Sequence, residues 1–346
     1  MFWFSRFSLV IGIIFVFASV ETWAQGYEPD YTGALDGTAH WSAPALADID
    51  GNASNGLEIV TATTRGSVAV HNSSTGVLWQ ALVPGAPCPG SSYVQSSPAV
   101  ADIDNDGVKE VVIGYGPIGV TSCTGGVVAF NGLTGAVKWI FNIKNQSKRE
   151  NFHSVIATPS LGDVNGDGLL EVAFGGLDRF FYVLSHAGKK VFRYQAGDTI
   201  FSSPLFANID ADPELEVVAT TDISRNKLAG TPNGGVAYGF EVGKLSGSTK
   251  SCKRFKKKKR RRKCKRRKRQ KNKGQSRSSR VDHTFLSPGA FKWQTFFDQV
   301  LQASPVVADF VSTNEGNEVA IATGCFFPEE SSAKRGKYMK ILSART

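Results

Sequence analysis

Five times along this chain, two small residues and a proline stand ahead of an acidic or amide residue, with the proline always four positions before it. The copies are Ser42-Ala43-Pro44 to Asp48, Ser96-Ser97-Pro98 to Asp102, Ala157-Thr158-Pro159 to Asp163, Ser202-Ser203-Pro204 to Asn208 and Ala303-Ser304-Pro305 to Asp309. A Val-rich run follows each: LEIVTATT, KEVVIGYG, LEVAFGG, LEVVATT and NEVAIATG. Two further runs then face each other across Thr-Gly or Asn-Gly turns, as in GSVAVHNSSTGVLWQ (66–80) and GGVVAFNGLTGAVKWIF (125–141). Such pairs supply the positive φ that tight hairpins need. Weaker copies are RFFYVLSHAGKKVFRYQ (179–195) and, divided by a long insert, GGVAYGFEV with GAFKWQTFF. Four short strands in each unit of 45 to 60 residues, repeated, constrain the chain to an all-β fold. The expected architecture is a β-propeller of four-stranded antiparallel blades, about five of them recognisable. The fifth copy is incomplete. Either the segment TGALDGTAHW supplies its outer strand, or the chain stops in mid-hairpin at Thr346.

The loops between the first and second strand of each unit carry the chemistry. Asp102, Asp104 and Asp106 alternate, then Gly107, then Glu110, as D-x-D-x-D-G-x-x-E. Alternation turns three oxygen donors inward, a backbone carbonyl (Val108) serves at position seven, and a carboxylate closes the shell at nine, which suits a hard cation. The same spacing places Asp163, Asn165, Asp167, the Leu169 carbonyl and Glu171 around a second site. Asp48, Asp50 and Asn52 start a third, but two extra residues delay its carboxylate to Glu58. In the fourth loop, Asn208-Ile209-Asp210-Ala211-Asp212, Pro213 replaces the turn glycine but Glu216 still stands at position nine, which leaves a distorted site open. The fifth keeps Asp309 but has Val311 and Thr313 where carboxylates belong and is expected to carry no ion.

Frame, loop and following E-V-V-x-G strand together resemble FG-GAP repeats, the blades of the integrin α-subunit propeller and of many exported proteins. The resemblance covers about residues 40 to 346 apart from the insert. It implies calcium in the loops between strands one and two, and a role in adhesion or ligand binding, with a protein or glycan ligand at the cell surface. Chelation should then destabilise the fold. A different class, a carbohydrate-active enzyme of polysaccharide-lyase type on a calcium propeller, is the alternative. No catalytic constellation supports it: His40, His71, His153, His186 and His283 are scattered, without zinc spacing or a nucleophile turn. The reading is therefore a non-enzyme.

The net charge of +10 describes one segment. Residues 250–280 hold 20 of the 40 Lys+Arg and no acidic residue, so the remainder has 20 basic against 30 acidic side chains, a net of −10. This basic stretch, within an insert spanning 248–284, is expected to be disordered and can neutralise a polyanion such as a heparin-like glycan. With Phe255 its one aromatic, base stacking and specific nucleic-acid recognition are unsupported. The N-terminus has Arg6, an apolar run from Leu9 to Val20 and small residues about Ala24, the pattern of a signal peptide over 1–24 ahead of a propeller over 25–346. Secretion or display at the cell surface follows, with an uncleaved N-terminal membrane anchor as the alternative. Export permits disulfides. Cys88 follows the last strand of unit one and Cys123 lies between strands two and three of unit two, connections that emerge on one face of an up-and-down blade. A Cys88–Cys123 disulfide is expected; Cys252 and Cys264 can pair inside the insert or elsewhere, and Cys325 has no obvious partner. Trp79, Trp139, Tyr194 and Trp293 near the last strands pack in the core or between blades.

Overall fold

The computed structural model describes residues 34–72, 74–88, 92–118, 123–143, 153–210, 214–222, 234–242, 291–297, 299–311, 316–324 and 339–343. The N-terminal leader, the basic insert, Cys252, Cys264 and Cys325, and the loop residues Asp212, Pro213 and Thr313 lie outside them. Among the described residues, nineteen strands group into five antiparallel sheets, each in simple sequence order. The first sheet is β1 (Ala45–Ala47), β2 (Glu58–Ala62), β3 (Ser67–Asn72) and β4 (Gly76–Leu82). The second is β5 (Ala99–Ala101), β6 (Glu110–Tyr115), β7 (Gly126–Asn131) and β8 (Val137–Asn142). The third is β9 (Ser160–Gly162), β10 (Glu171–Gly175), β11 (Phe180–Leu184) and β12 (Lys190–Gln195). The fourth is β13 (Leu205–Ala207), β14 (Glu216–Thr220), β15 (Val236–Glu241) and β16 (Phe291–Phe296), so the basic insert joins β15 to β16. Three described strands make the fifth: β17 (Val306–Ala308), β18 (Glu318–Ala322) and β19 (Met339–Ser343). The fold is a β-propeller. Residues 34–44 form no strand, so the described part of TGALDGTAHW does not complete the fifth blade.

Each blade begins directly after its frame proline, the place in a strand where a missing N–H costs least. First strands of neighbouring blades touch, β1 with β5, β5 with β9 and β9 with β13. The small residues of the frame make this approach useful. Ser97 Oγ accepts the Ala43 N–H at 2.9 Å, Ser203 Oγ accepts the Thr158 N–H at 3.0 Å, and Ser304 Oγ accepts the Ser203 N–H at 3.0 Å. In the four-stranded blades, second and third strands are buried on both faces along most of their length, which is why they read as continuous apolar runs rather than as alternations.

The blades meet face to face. One apolar cluster joins Val60, Trp79, Tyr93, Val111 and Phe130 between blades one and two. The next joins Ile103, Phe141, Phe174 and Tyr182 between blades two and three. The indoles do bridge blades: Trp79 Nε1–H donates to the Gly132 carbonyl at 2.5 Å and Trp139 Nε1–H to the His186 carbonyl at 2.8 Å. In blade three the residue in register with Trp79 is Phe192, not Tyr194, which stands two places further along. Cys88 and Cys123 are joined by a disulfide with Cα atoms 6.2 Å apart.

Candidate functional site

Five acidic loops line one edge of the sheets, and one interaction recurs in all of them. The glutamate that opens the second strand turns one carboxylate oxygen, Oε2, back onto the loop's second backbone N–H. The distances are 2.6 Å from Ile49 to Glu58, 3.0 Å from Ile103 to Glu110, 3.2 Å from Val164 to Glu171, 3.0 Å from Ile209 to Glu216 and 2.9 Å from Phe310 to Glu318. All five glutamates are buried, between 0 and 3% exposed. Read from spacing alone, the residue closes a metal shell; in the fold, half of its carboxylate is already a backbone clamp, present even in the fifth loop. Only Oε1 is left to face the loop centre.

The first aspartate organises the turn. Asp163 receives the N–H groups of Gly166 at 2.7 Å and Gly168 at 2.8 Å, with those of Asn165 and Asp167 at 3.2 Å. Burial opposes its charge, but these four bonds outweigh it and hold the carboxyl below the usual range. Asp102 likewise takes the N–H groups of Asp106 and Gly107. Gly107 and Gly168 sit at φ +87° and +82°, the left-handed conformation that the sharp turn requires. The N–H groups of Val108 and Leu169 donate to Asp106 and Asp167 at 2.9 and 3.0 Å.

Two loops bring three carboxylates together. Asp48, Asp50 and Glu58 offer oxygens within 4.8 Å of one another, and so do Asp102, Asp104 and Asp106. In the first, the two extra residues are absorbed by a single 3-10 turn over Ala53–Asn55, so Glu58 still reaches Ile49. Asn52 caps that turn, its Oδ1 accepting from the Ser54 N–H and hydroxyl. Asp48 Oδ1 in the first loop and Asp104 Oδ1 in the second are each buried with no hydrogen-bond partner. The three carboxylates of the Asp163 loop do not converge to this spacing. There Glu171 is pushed up to about 7, by burial first and then by Asp167 and Asp163, against the pull of the Val164 N–H.

The second and fourth loops hold something that spacing did not show. Lys138, on the outer strand β8, reaches inward and places its ammonium 2.8 Å from Asp104, 3.3 Å from Asp106 and 2.8 Å from Glu110 Oε1. Lys292 on β16 does the same, bonding Asp210, with Glu216 Oε1 at 2.9 Å and Glu241 at 3.7 Å. Burial opposes each ammonium, yet the carboxylates outweigh it and hold both pKa values above the usual lysine value. In the first loop the corresponding Oε1 of Glu58 takes the Asn72 amide at 2.7 Å.

On the opposite edge, the residue just before each frame converges on a central cleft. Trp41, Gln95, Ile156, Phe201 and Gln302, one from every blade, line it. Trp41 is 65% exposed and held at φ +66°, a strained backbone for a bulky side chain. Gln95 is buried, with Oε1 unpartnered.

No protein-family model matches the chain, and no curated protein matches it in sequence. Solved structures do resemble it. Sqt1 of Saccharomyces cerevisiae superposes with TM-score 0.50 at 12% identity, over 82% of this chain and 57% of that one. The PilY1 C-terminal domain of Pseudomonas aeruginosa gives 0.48 at 14% identity, over 84% and 58%. Rhamnogalacturonan lyase PL11 of Bacillus licheniformis gives 0.45 at 16%, over 82% and 44%. The likeness is one of fold. This chain spans less than two thirds of each of these structures. Among the described residues, no helix is long and apolar enough to cross a membrane.

Proposed function

We propose that the protein is an exported, calcium-stabilised propeller of FG-GAP type that works as a binding module, engaging a protein or glycan at the cell surface. The observation that carries this reading is the repetition of acidic loops along one edge, with three carboxylates converging in the first loop around a buried, unpartnered Asp48 Oδ1. When bound, calcium would neutralise these carboxylates and tie the first strand of a blade to its second. At the weak affinities usual for extracellular modules, this stabilises the fold only where calcium is abundant. The protein's own contribution is a loop already shaped by the backbone bonds to Asp102, Asp163 and the five glutamates.

Ligand recognition belongs to the central cleft. An exposed indole and amide side chains from neighbouring blades suit a sugar ring, which needs a flat apolar face and hydrogen-bonding edges. Melting the protein in excess chelator and again after adding back millimolar calcium tests the first half. The midpoint should fall with chelator and recover with calcium. Probing a glycan array with the native chain and with Trp41→Ala tests the second half: signals that survive the substitution would remove the cleft from the reading. A melting curve indifferent to chelator would remove calcium from it.

A further inference from the structure

In every complete blade, the pairing of the third and fourth strands slips by one residue at the same place. The slips fall between Val70 and His71, Ala129 and Phe130, Val183 and Leu184, and Gly239 and Phe240. The unpaired residues opposite them are Leu78, Lys138, Val191 and Lys292. A bulge of this kind re-aims the side chain it carries. In blades two and four it carries a lysine, and both lysines enter their own blade's acidic loop. Each contacts the position-three aspartate, Asp104 or Asp210, and the Oε1 of the clamp glutamate, Glu110 or Glu216. Side chains of both lysines are no more than 23% exposed, so these are not waving surface charges. Among the described residues, no lysine or arginine makes an ion pair with Asp48, Asp50, Glu58, Asp163, Asp167 or Glu171. The nearby Lys109 binds the Asp48 backbone carbonyl instead.

We infer that the bulge residue decides how an acidic loop is neutralised: Lys138 and Lys292 are built-in cations for blades two and four, while blade one, with Leu78 there and its three carboxylates converging, depends on an external divalent cation. This rests on the calcium reading above and adds its determinant. The most acidic loop of the chain, D-x-D-x-D-G-x-x-E, is therefore the one calcium does not occupy in the native protein. An ammonium on a four-carbon stem delivers one positive charge at fixed position, at no cost of capturing an ion from solution, and so holds its blade together whatever the calcium level. A divalent ion delivers two charges and answers to concentration. Two loops are thereby neutralised permanently and the first answers to calcium, while in the third Glu171 Oε1 accepts the Asn165 amide at 3.2 Å.

The test uses the full chain and calcium alone as probe, followed by titration calorimetry and by melting in chelator. Lys138→Met should bind one further equivalent of calcium compared with the native protein. In chelator it should melt lower than native, and calcium should close that gap. The reverse change, Leu78→Lys, should remove one equivalent and weaken the effect of chelator on melting; it reports even if Lys138→Met fails to fold. If the native protein binds calcium and both variants bind it in unchanged amount, the bulge residue is not the determinant and this inference alone is overturned. If native protein and Lys138→Met both bind none, the calcium reading itself falls, and this inference with it.

Discussion

Among single residues, Asp178 is the clearest outlier. It sits between β10 and β11, 1% exposed, where Tyr182 donates its hydroxyl at 2.6 Å and the Phe180 N–H reaches it at 3.2 Å. Burial pushes its carboxyl up to about 7, against the pull of Tyr182, the Phe180 N–H and Arg193. An acid whose pKa is higher in the folded state than in the unfolded chain binds more protons when folded. Its contribution to stability is therefore intact below the unfolded value of 3.8 and declines as pH rises toward 7. At about 1.4 kcal/mol per pKa unit, the full swing is on the order of 4 kcal/mol. Asp178→Asn keeps an acceptor for Phe180 and mimics the protonated acid. Urea midpoints of the native protein should fall between mildly acidic and neutral pH, and the variant should lose much of that slope. Equal slopes in both would show that Asp178 does not carry the dependence.

At the scale of the element, hairpin and indole form one device that crosses from blade to blade. The turn glycine at the β7–β8 hairpin, Gly135, is at φ +70°, and a Cβ there would meet the Trp79 ring of the preceding blade at 2.7 Å. Gly188 stands in the same relation to Trp139, at 2.6 Å. Gly76 occupies the equivalent turn of blade one at φ +83°, with nothing within 4 Å. Both Gly76→Ala and Gly135→Ala impose the left-handed strain, about 1 kcal/mol. Gly135→Ala also overpacks against the indole, for a further 1–3 kcal/mol or so. Comparing the two urea midpoints isolates the interblade contact; equal losses would deny it.

Elements were the part of the fold most legible in the sequence, because a proline, a loop and a Val-rich run each leave a local mark. All five frames stand immediately ahead of a first strand. The site was less legible. Lys138 and Lys292 in their strands look like solvated edge charges, and only the one-residue slip in pairing shows that they point inward. Register is a long-range property, and spacing within a loop carries none of it. Loop spacing assigns Glu58, Glu110 and Glu171 a single role as metal ligands, since no linear pattern shows an oxygen folded back onto the Ile49 or Phe310 N–H.

In the whole molecule, each apolar cluster belongs to one pair of neighbouring blades. Val111 and Ile113 face blade one while Val112 faces blade three, so alternation along one strand serves two interfaces. Stability is then close to a sum over nearest neighbours, as in other repeat folds. The Cys88–Cys123 bridge lies at the first such interface, tying the connection between blades one and two to the loop between β6 and β7 across 35 residues of chain. Cross-linking a segment of that length limits the unfolded ensemble by roughly 4 kcal/mol. A Cys88→Ser/Cys123→Ser double variant should therefore show a lower urea midpoint than the oxidised native chain. The bridge sits on the edge opposite the acidic loops, sharing no partner with Asp48 or Glu58, and distant changes of this kind add. Chelator should consequently lower the midpoint by the same amount in the variant as in the native protein. A chelator effect that vanished with the disulfide would mean that the two edges of the blade act as one cooperative unit, and that the nearest-neighbour description is too local for this propeller.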